Sequence, residues 1–186
     1  IPLLQDALVL LGGADESLRV RPLTRLACAW RSSPERRDDS NSLSRQAVEV
    51  ARGSNDPATL GYALVGRFWA TWWPENPDER EAIAQEMFGI AETLGDGERI
   101  AEARLMLVLS TSEQGRMGDA RKEIETLGRV VEELRQPAQL WLGPVNRVWL
   151  ARLEGDYGLA APRIPPEPGS GHRSPPGLAA GVRRSG

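Results

Sequence analysis

Between Pro77 and Leu94 the apolar residues Ile83, Ala84, Met87, Phe88, Ile90, Ala91 and Leu94 recur three and four apart, which lines one side of a helix. Asn76 offers a capping side chain and Pro77 suits the first turn. Asp78 and Glu79 place carboxylates near the positive end of the helix dipole, so a helix is predicted over Pro77–Leu94. Gly95 sits where a left-handed residue ends a helix, and Asp96 can cap the next one. That second helix runs to about Gln114 through Ile100, Ala103, Leu105, Met106, Leu107, Val108 and Leu109. It is apolar around much of its circumference and is expected to be the more buried of the pair.

The same pattern predicts Pro34–Arg52 paired with Pro57–Trp73, and Gly118–Arg135 paired with Pro137–Glu154. Two further helices, roughly Leu3–Leu11 and Glu16–Arg31, are joined by Gly12-Gly13-Ala14-Asp15. The hairpins repeat every 40 residues: Ala51 falls on Ala91, Asp56 on Asp96, Leu94 on Leu134 and Pro57 on Pro137. Leu60, Ile100 and Leu140 align, as do Trp69, Leu109 and Trp149, and Arg67 recurs as Arg147. Agreement of apolar and turn positions at one fixed period marks stacked supersecondary units. No stretch alternates as a strand would. The expected class is all-α, a stack of antiparallel helix hairpins, because short connections turn consecutive helices back on each other.

Gly155-Asp156-Tyr157-Gly158-Leu159-Ala160 resembles Gly118-Asp119-Ala120, so a fourth hairpin begins and then stops. Residues 162–186 hold six of the 14 prolines, five glycines and no aromatic residue. Such a segment buries too little apolar surface to offset its chain entropy. The expected division is therefore a helical body, 1–161, and a Pro/Gly/Arg-rich disordered tail, 162–186, with a frameshifted or misassembled end favoured over a natural tail because the pattern stops inside a helix. The opening Ile1-Pro2-Leu3-Leu4 has no initiator Met and no basic n-region, and is read as the start of a fragment.

Composition narrows the function classes. The chain carries −3 overall, but the tail holds Arg163, Arg173, Arg183 and Arg184 against Glu167, leaving the body with 19 basic and 25 acidic residues, a net of −6. An acidic body with no basic recognition helix argues against direct nucleic-acid binding. No run approaches the roughly 18 apolar residues of a membrane span. A single cysteine, Cys28, rules out an internal disulfide and fits a reducing, cytoplasmic compartment. Lys122 is the only lysine beside 22 arginines, a bias that an Arg-rich codon supply, as of a GC-rich bacterial genome, accounts for.

No residue set calls for a cofactor or a metal. His172, the only histidine, lies in the tail, which removes the base from any Ser/His/Asp or Cys/His apparatus. Cys28 and His172 are too few for a structural zinc site. Lys122 follows no glycine-rich loop, so there is no P-loop, and Gly169-Ser170-Gly171 reads as flexible filler. Asp38-Asp39 and Glu132-Glu133 read as solvated helix faces, and Cys28 as a small buried apolar residue. The expectation is a protein that is not an enzyme.

The tryptophans and two arginines are the remaining candidates. Trp69 and Trp149 occupy equivalent positions and are expected to pack between hairpins. Trp72 and Trp73, about 100° apart on a helix, cannot both be equally buried, so one is a candidate platform for a peptide or apolar ligand. Arg67 and Arg147 recur on second helices and are candidates for an acidic partner, although a surface salt bridge is the simpler role.

The segments Ser54-Asn55-Asp56-Pro57-Ala58, Ile90-Ala91-Glu92-Thr93-Leu94-Gly95-Asp96, Gly118-Asp119-Ala120 and Glu132-Glu133-Leu134-Arg135-Gln136-Pro137 carry a family resemblance. On them, residues 1–161 resemble the tetratricopeptide-like helical-repeat region of large bacterial nucleotide-binding regulators, LuxR-type or adenylate-cyclase-linked. The resemblance implies a right-handed superhelix whose first helices, along Glu79–Thr93 and Asp119–Glu133, line the concave face. It also implies an arm that docks a protein or peptide segment, such as another domain of its parent, or that senses a small apolar ligand between hairpins. The ATPase, cyclase and DNA-binding parts of such regulators would lie outside this chain.

Overall fold

The computed structural model describes residues 1–12 and 16–160. The tail and His172 lie outside the described residues, and so do the expectations of disorder and of a frameshift. Among the described residues there are helices and no strands. The helices are α1 (Pro2–Leu10), α2 (Val20–Trp30), α3 (Arg37–Gly53), α4 (Pro57–Ala70), α5 (Pro77–Leu94), α6 (Gly97–Glu113), α7 (Met117–Leu134), α8 (Leu142–Leu153) and the short α9 (Tyr157–Ala160). Short 3-10 turns, Glu16–Arg19 and Pro34–Arg36, lead into α2 and α3.

Local chemistry sets most of these boundaries. The Asp56 carboxylate accepts hydrogen bonds from the amides of Ala58 and Thr59, at 3.2 and 3.1 Å, and Pro57 occupies the first turn where its missing N–H costs little. Asp96 caps α6 in the same way through the Arg99 amide at 3.1 Å. Asn76 precedes α5 as expected but makes no side-chain cap bond; its main-chain carbonyl accepts from Arg80 N instead. Gly95 ends α5 at φ 63°, and Asp96 N donates back to Ala91 O. The repeat recurs in the backbone itself, because left-handed residues fall at Asn55, Gly95 and Arg135, and again at Gly115 and Gly155.

Two predicted ends are corrected. α4 stops at Ala70 and not at Trp73. The Thr71 hydroxyl donates to the carbonyls of Arg67 and Phe68, and Pro74 biases Trp73 away from helical geometry. α8 starts at Leu142 and not at Pro137. A helix from Pro137 would place Pro144 two turns in, where its ring meets the carbonyl of Leu140 and no N–H answers it. Starting at Leu142 puts Pro144 in the first turn, where that defect is harmless. Leu140, aligned with Leu60 and Ile100 by sequence, consequently lies in a turn.

Consecutive helices run antiparallel. The start of α5 meets the end of α6 at Arg80 and Glu113, Gly97 of α6 abuts Leu134 at the end of α7, and Arg121 of α7 reaches Glu154 just past α8. Their apolar faces make a continuous run of clusters. Val20 and Leu23 of α2 meet Ala47 and Ala51 of α3 and Ala63 of α4. On the other side of α4, Leu64 and Phe68 meet Ala84 and Met87 of α5 and Met106 of α6. Beyond α6, Ala101 and Val108 pack with Leu127, Val131 and Ile124 of α7 and Leu142 and Leu150 of α8. Thus α4 serves two clusters and α6 three, and α6 is buried around most of its circumference, as its composition predicts. Alanine at many contacts lets the helices approach closely. Gly66 does so most: a Cβ there would lie 2.1 Å from Thr24 Cγ2, so α4 rests directly on α2.

Candidate functional site

The corner between α4 and α5 gathers three of the four candidate residues. Past Ala70 the chain turns through Thr71–Asn76, with Trp73 N bonded to Thr71 O at 2.7 Å and Asn76 N to Trp73 O at 3.2 Å. Arg80, on the first turn of α5, holds this corner from below. Its side chain is 2% exposed, and Nη1 donates to the carbonyls of Thr71 (2.9 Å) and Trp73 (2.8 Å) while Nη2 pairs with Glu113 of α6. Burial lowers the Arg80 pKa from the ordinary arginine value. A guanidinium still fits here because its fork satisfies two carbonyls and a carboxylate together.

Trp72 and Trp73 therefore lie in the turn and not on the helix where the sequence places them. Trp72 is 37% exposed, stacked on Trp69 with centroids 5.0 Å apart and planes 4° apart, and edge-on to Phe68. The Arg80 guanidinium lies 5.5 Å from its ring centre. Trp73 is half-buried under the Arg37 guanidinium, 4.6 Å from its centroid, and Arg37 also pairs with Glu75 at 2.9 Å. Both tryptophans border a cleft of about 350 Å³ with Pro74, Pro77 and Glu113.

Arg67 is not a surface residue. It is 5% exposed, with Nε and Nη2 on Glu79 of α5 and Nη1 on the Asn41 side chain and carbonyl and the Ser44 hydroxyl of α3. The guanidinium thus joins three helices, and with Trp73 it borders a polar pocket of about 440 Å³ whose other charged residues include Arg37, Arg45 and Glu79. Arg147 lies elsewhere. It is exposed on α8 beside Gly128 of α7, and among the described residues it has no ion partner. In sequence, Glu79, the ion partner of Arg67, and Asn41 and Ser44, which also hold it, are replaced at the equivalent positions by Leu159, Arg121 and Ile124. Trp69 and Trp149 do pack between helices, each partly buried against a core cluster.

A third cleft of about 370 Å³ opens at the opposite end of the hairpins, between Arg21 and Tyr62 on one side and Met87, Ile90 and Leu94 on the other. Arg21 sits 5.3 Å from the Tyr62 ring centre. Cys28 is half-buried with its thiol against Gly66 O at 3.9 Å, and burial pushes its pKa up against the opposing influence of Arg31 and Arg25. The thiol is therefore protonated and weakly nucleophilic at neutral pH. Among the described residues no group of three or more His, Cys, Asp or Glu side chains is placed to hold a metal ion, and no helix is long and apolar enough to cross a membrane.

Sequence reasoning missed Arg80. The available signal was a charged residue on the stripe that α5 shares with Ala84, Met87 and Ala91, where α7 has Ala120. No protein-family model matches the chain, and no curated protein matches it either.

Proposed function

We propose that residues 1–161 are a non-catalytic helical-repeat scaffold, a right-handed tetratricopeptide-like superhelix that binds a protein or peptide segment. In this reading it is an arm of a larger bacterial signalling or transcriptional regulator, working in the cytoplasm, and its partner is another domain of the parent or a separate protein. The observation that carries the reading is the sharing of α4 and α6 between successive clusters. Such sharing builds an extended surface instead of one closed core. The surface assigned to the partner is the exposed side of the first helices, along Glu79–Thr93 and Asp119–Glu133. Titration of the body against the other domains of its parent tests this. Saturable binding is expected; no binding, with a parent that works normally after deletion of the body, sinks it.

The second reading, a sensor for a small apolar molecule, draws on the cleft beside Trp72 and Trp73. Here a ligand screen would quench tryptophan fluorescence, and Trp72→Ala or Trp73→Ala would abolish the quench. A quench that survives both substitutions removes this alternative.

A further inference from the structure

Each second helix presents a stripe to the hairpin that follows it. On α4 the stripe is Gly61, Val65, Phe68 and, just past the helix, Trp72; α5 covers it, with Met87 and Ile90 against Gly61 and Arg80 beside Trp72. On α6, 40 residues later, it is Ala101, Leu105, Val108 and Ser112. All but Leu105 are buried, and α7 covers the stripe with Ala120, Ile124, Leu127 and Val131. The third member of the series is Trp141, Val145, Val148 and Arg152 around α8. It is the uncovered one: Trp141 is 55% and Val145 48% exposed, Val148 is half-buried and Arg152 is exposed.

The helix that the period calls for next begins at α9, but its covering positions would be Ala160, Ile164, Glu167 and Gly171, interrupted by Pro162, Pro165, Pro166 and Pro168. By sequence, Glu167 stands where α5 and α7 carry Met87 and Leu127. These positions do not repeat the apolar set with which α5 and α7 cover the helices before them. We propose that the Trp141–Val145–Val148–Arg152 face of α8 docks an amphipathic α-helix of a second polypeptide, seated as α7 is seated on α6. The incoming helix carries apolar residues at i, i+4, i+7 and i+11 and an acidic first turn. Two features on α8 argue for this occupant. The face continues an interface already built twice in the molecule. Arg152 on the face and Arg147 beside Gly128 of α7, both without ion partners among the described residues, put positive charge on α8, and a carboxylate in the first turn of the docked helix would answer it as Glu79 of α5 answers Arg67.

This inference rests on the scaffold reading but names residues which that reading does not use. The probe is a dye-labelled, lactam-bridged helical peptide with the sequence of residues 116–135, which carries the α7 stripe and Asp119, titrated into the full chain by fluorescence anisotropy. Saturable binding is expected, weakened about tenfold or more by Trp141→Glu and by Val145→Glu. Leu94→Glu, an equally exposed apolar site on α5, is expected to leave it unchanged. Arg152→Glu should weaken binding, and a peptide with Asp119→Arg and Glu123→Arg should restore it. Circular dichroism on each variant confirms that the fold is retained. Binding that ignores both α8 substitutions, or no binding by the unsubstituted chain, overturns the inference while leaving the exposed sides of α5 and α7 as the scaffold's surface. A dimer in sedimentation that Val145→Glu dissolves also overturns it, by making the face a contact between copies. Val145-sensitive peptide binding, in a chain that captures no parent domain through α5 and α7, would instead defeat the earlier placement of the partner.

Discussion

Replacing Arg80 with leucine removes the donor to two main-chain carbonyls and the partner of Glu113 while leaving the space largely filled. Both carbonyls then lose a charged hydrogen-bond partner and the half-exposed Glu113 carboxylate loses its ion pair. The expected loss is about 3 kcal/mol in urea denaturation, with near-ultraviolet circular dichroism reporting disorder around Trp72. A loss under half of that would mean the carbonyls find water. Acid should act at other residues. The Thr59 hydroxyl, followed by the Ala58 and Thr59 amides, holds the Asp56 carboxyl below the usual aspartate range; Lys122 and then Arg116 do the same for Asp119. A carboxyl depressed in the folded state contributes stability above its unfolded value, and that contribution is lost as pH falls through the folded value. Tm should therefore fall on acidification below about pH 4, and the gap between the unsubstituted chain and Asp56→Ala should close over the same range. A gap that is constant with pH would mean the carboxylate does not hold the cap.

At the scale of elements, the left-handed turns make the sharpest test. Arg135 takes at φ 51° the place that Gly95 fills at φ 63° one repeat earlier. A side chain with a Cβ is disfavoured there, so Arg135→Gly is expected to raise stability by about 1 kcal/mol in thermal or urea unfolding. Gly66→Ala should do the opposite, costing about 2 kcal/mol as α2 and α4 are forced apart at Thr24; an unchanged Tm would show that the two helices slide freely. The helices themselves were largely legible. Pro77–Leu94 matches α5 because both of its ends are fixed by local signals, Pro77 and Gly95. The end of α4 was not legible, because it depends on a hydroxyl, Thr71, and on Arg80 reaching back from the next helix. The start of α8 is set by Pro144, which breaks a helix begun at Pro137 and suits one begun at Leu142. Among the candidate residues, the unequal burial expected of Trp72 and Trp73 rests on a separation of about 100° along a helix, whereas the two lie in the turn past α4, Trp72 exposed and Trp73 half-buried. The burial of Arg67 is not legible in the sequence because its partners Asn41, Ser44 and Glu79 come together only in three dimensions.

Across the whole molecule, burial is uneven. No residue of α1 is buried, and exposed apolar side chains gather near the two ends of the described chain, at Leu3, Val9 and Leu10 and at Trp141, Val145 and Leu153. Amide exchange should follow this gradient: α4, α5 and α6 should be the best protected, with α1 and α9 exchanging by local fraying. Uniform protection from α1 to α8 would instead indicate a single all-or-none unit. Docking of a helix on α8 should raise protection there first.

The sharing of α4 and α6 also fixes how the molecule bears load. A helix lodged in more than one cluster loses contacts in each when it is drawn out, so removing it under tension costs more than removing a helix held by one. The links yield from the outside inwards, α1 and α8 before α4 and α6. Each 40-residue unit that lets go pays out about 140 Å of extended chain. Helices joined this way are expected to lengthen under pulling in discrete steps, with the centre the last to yield.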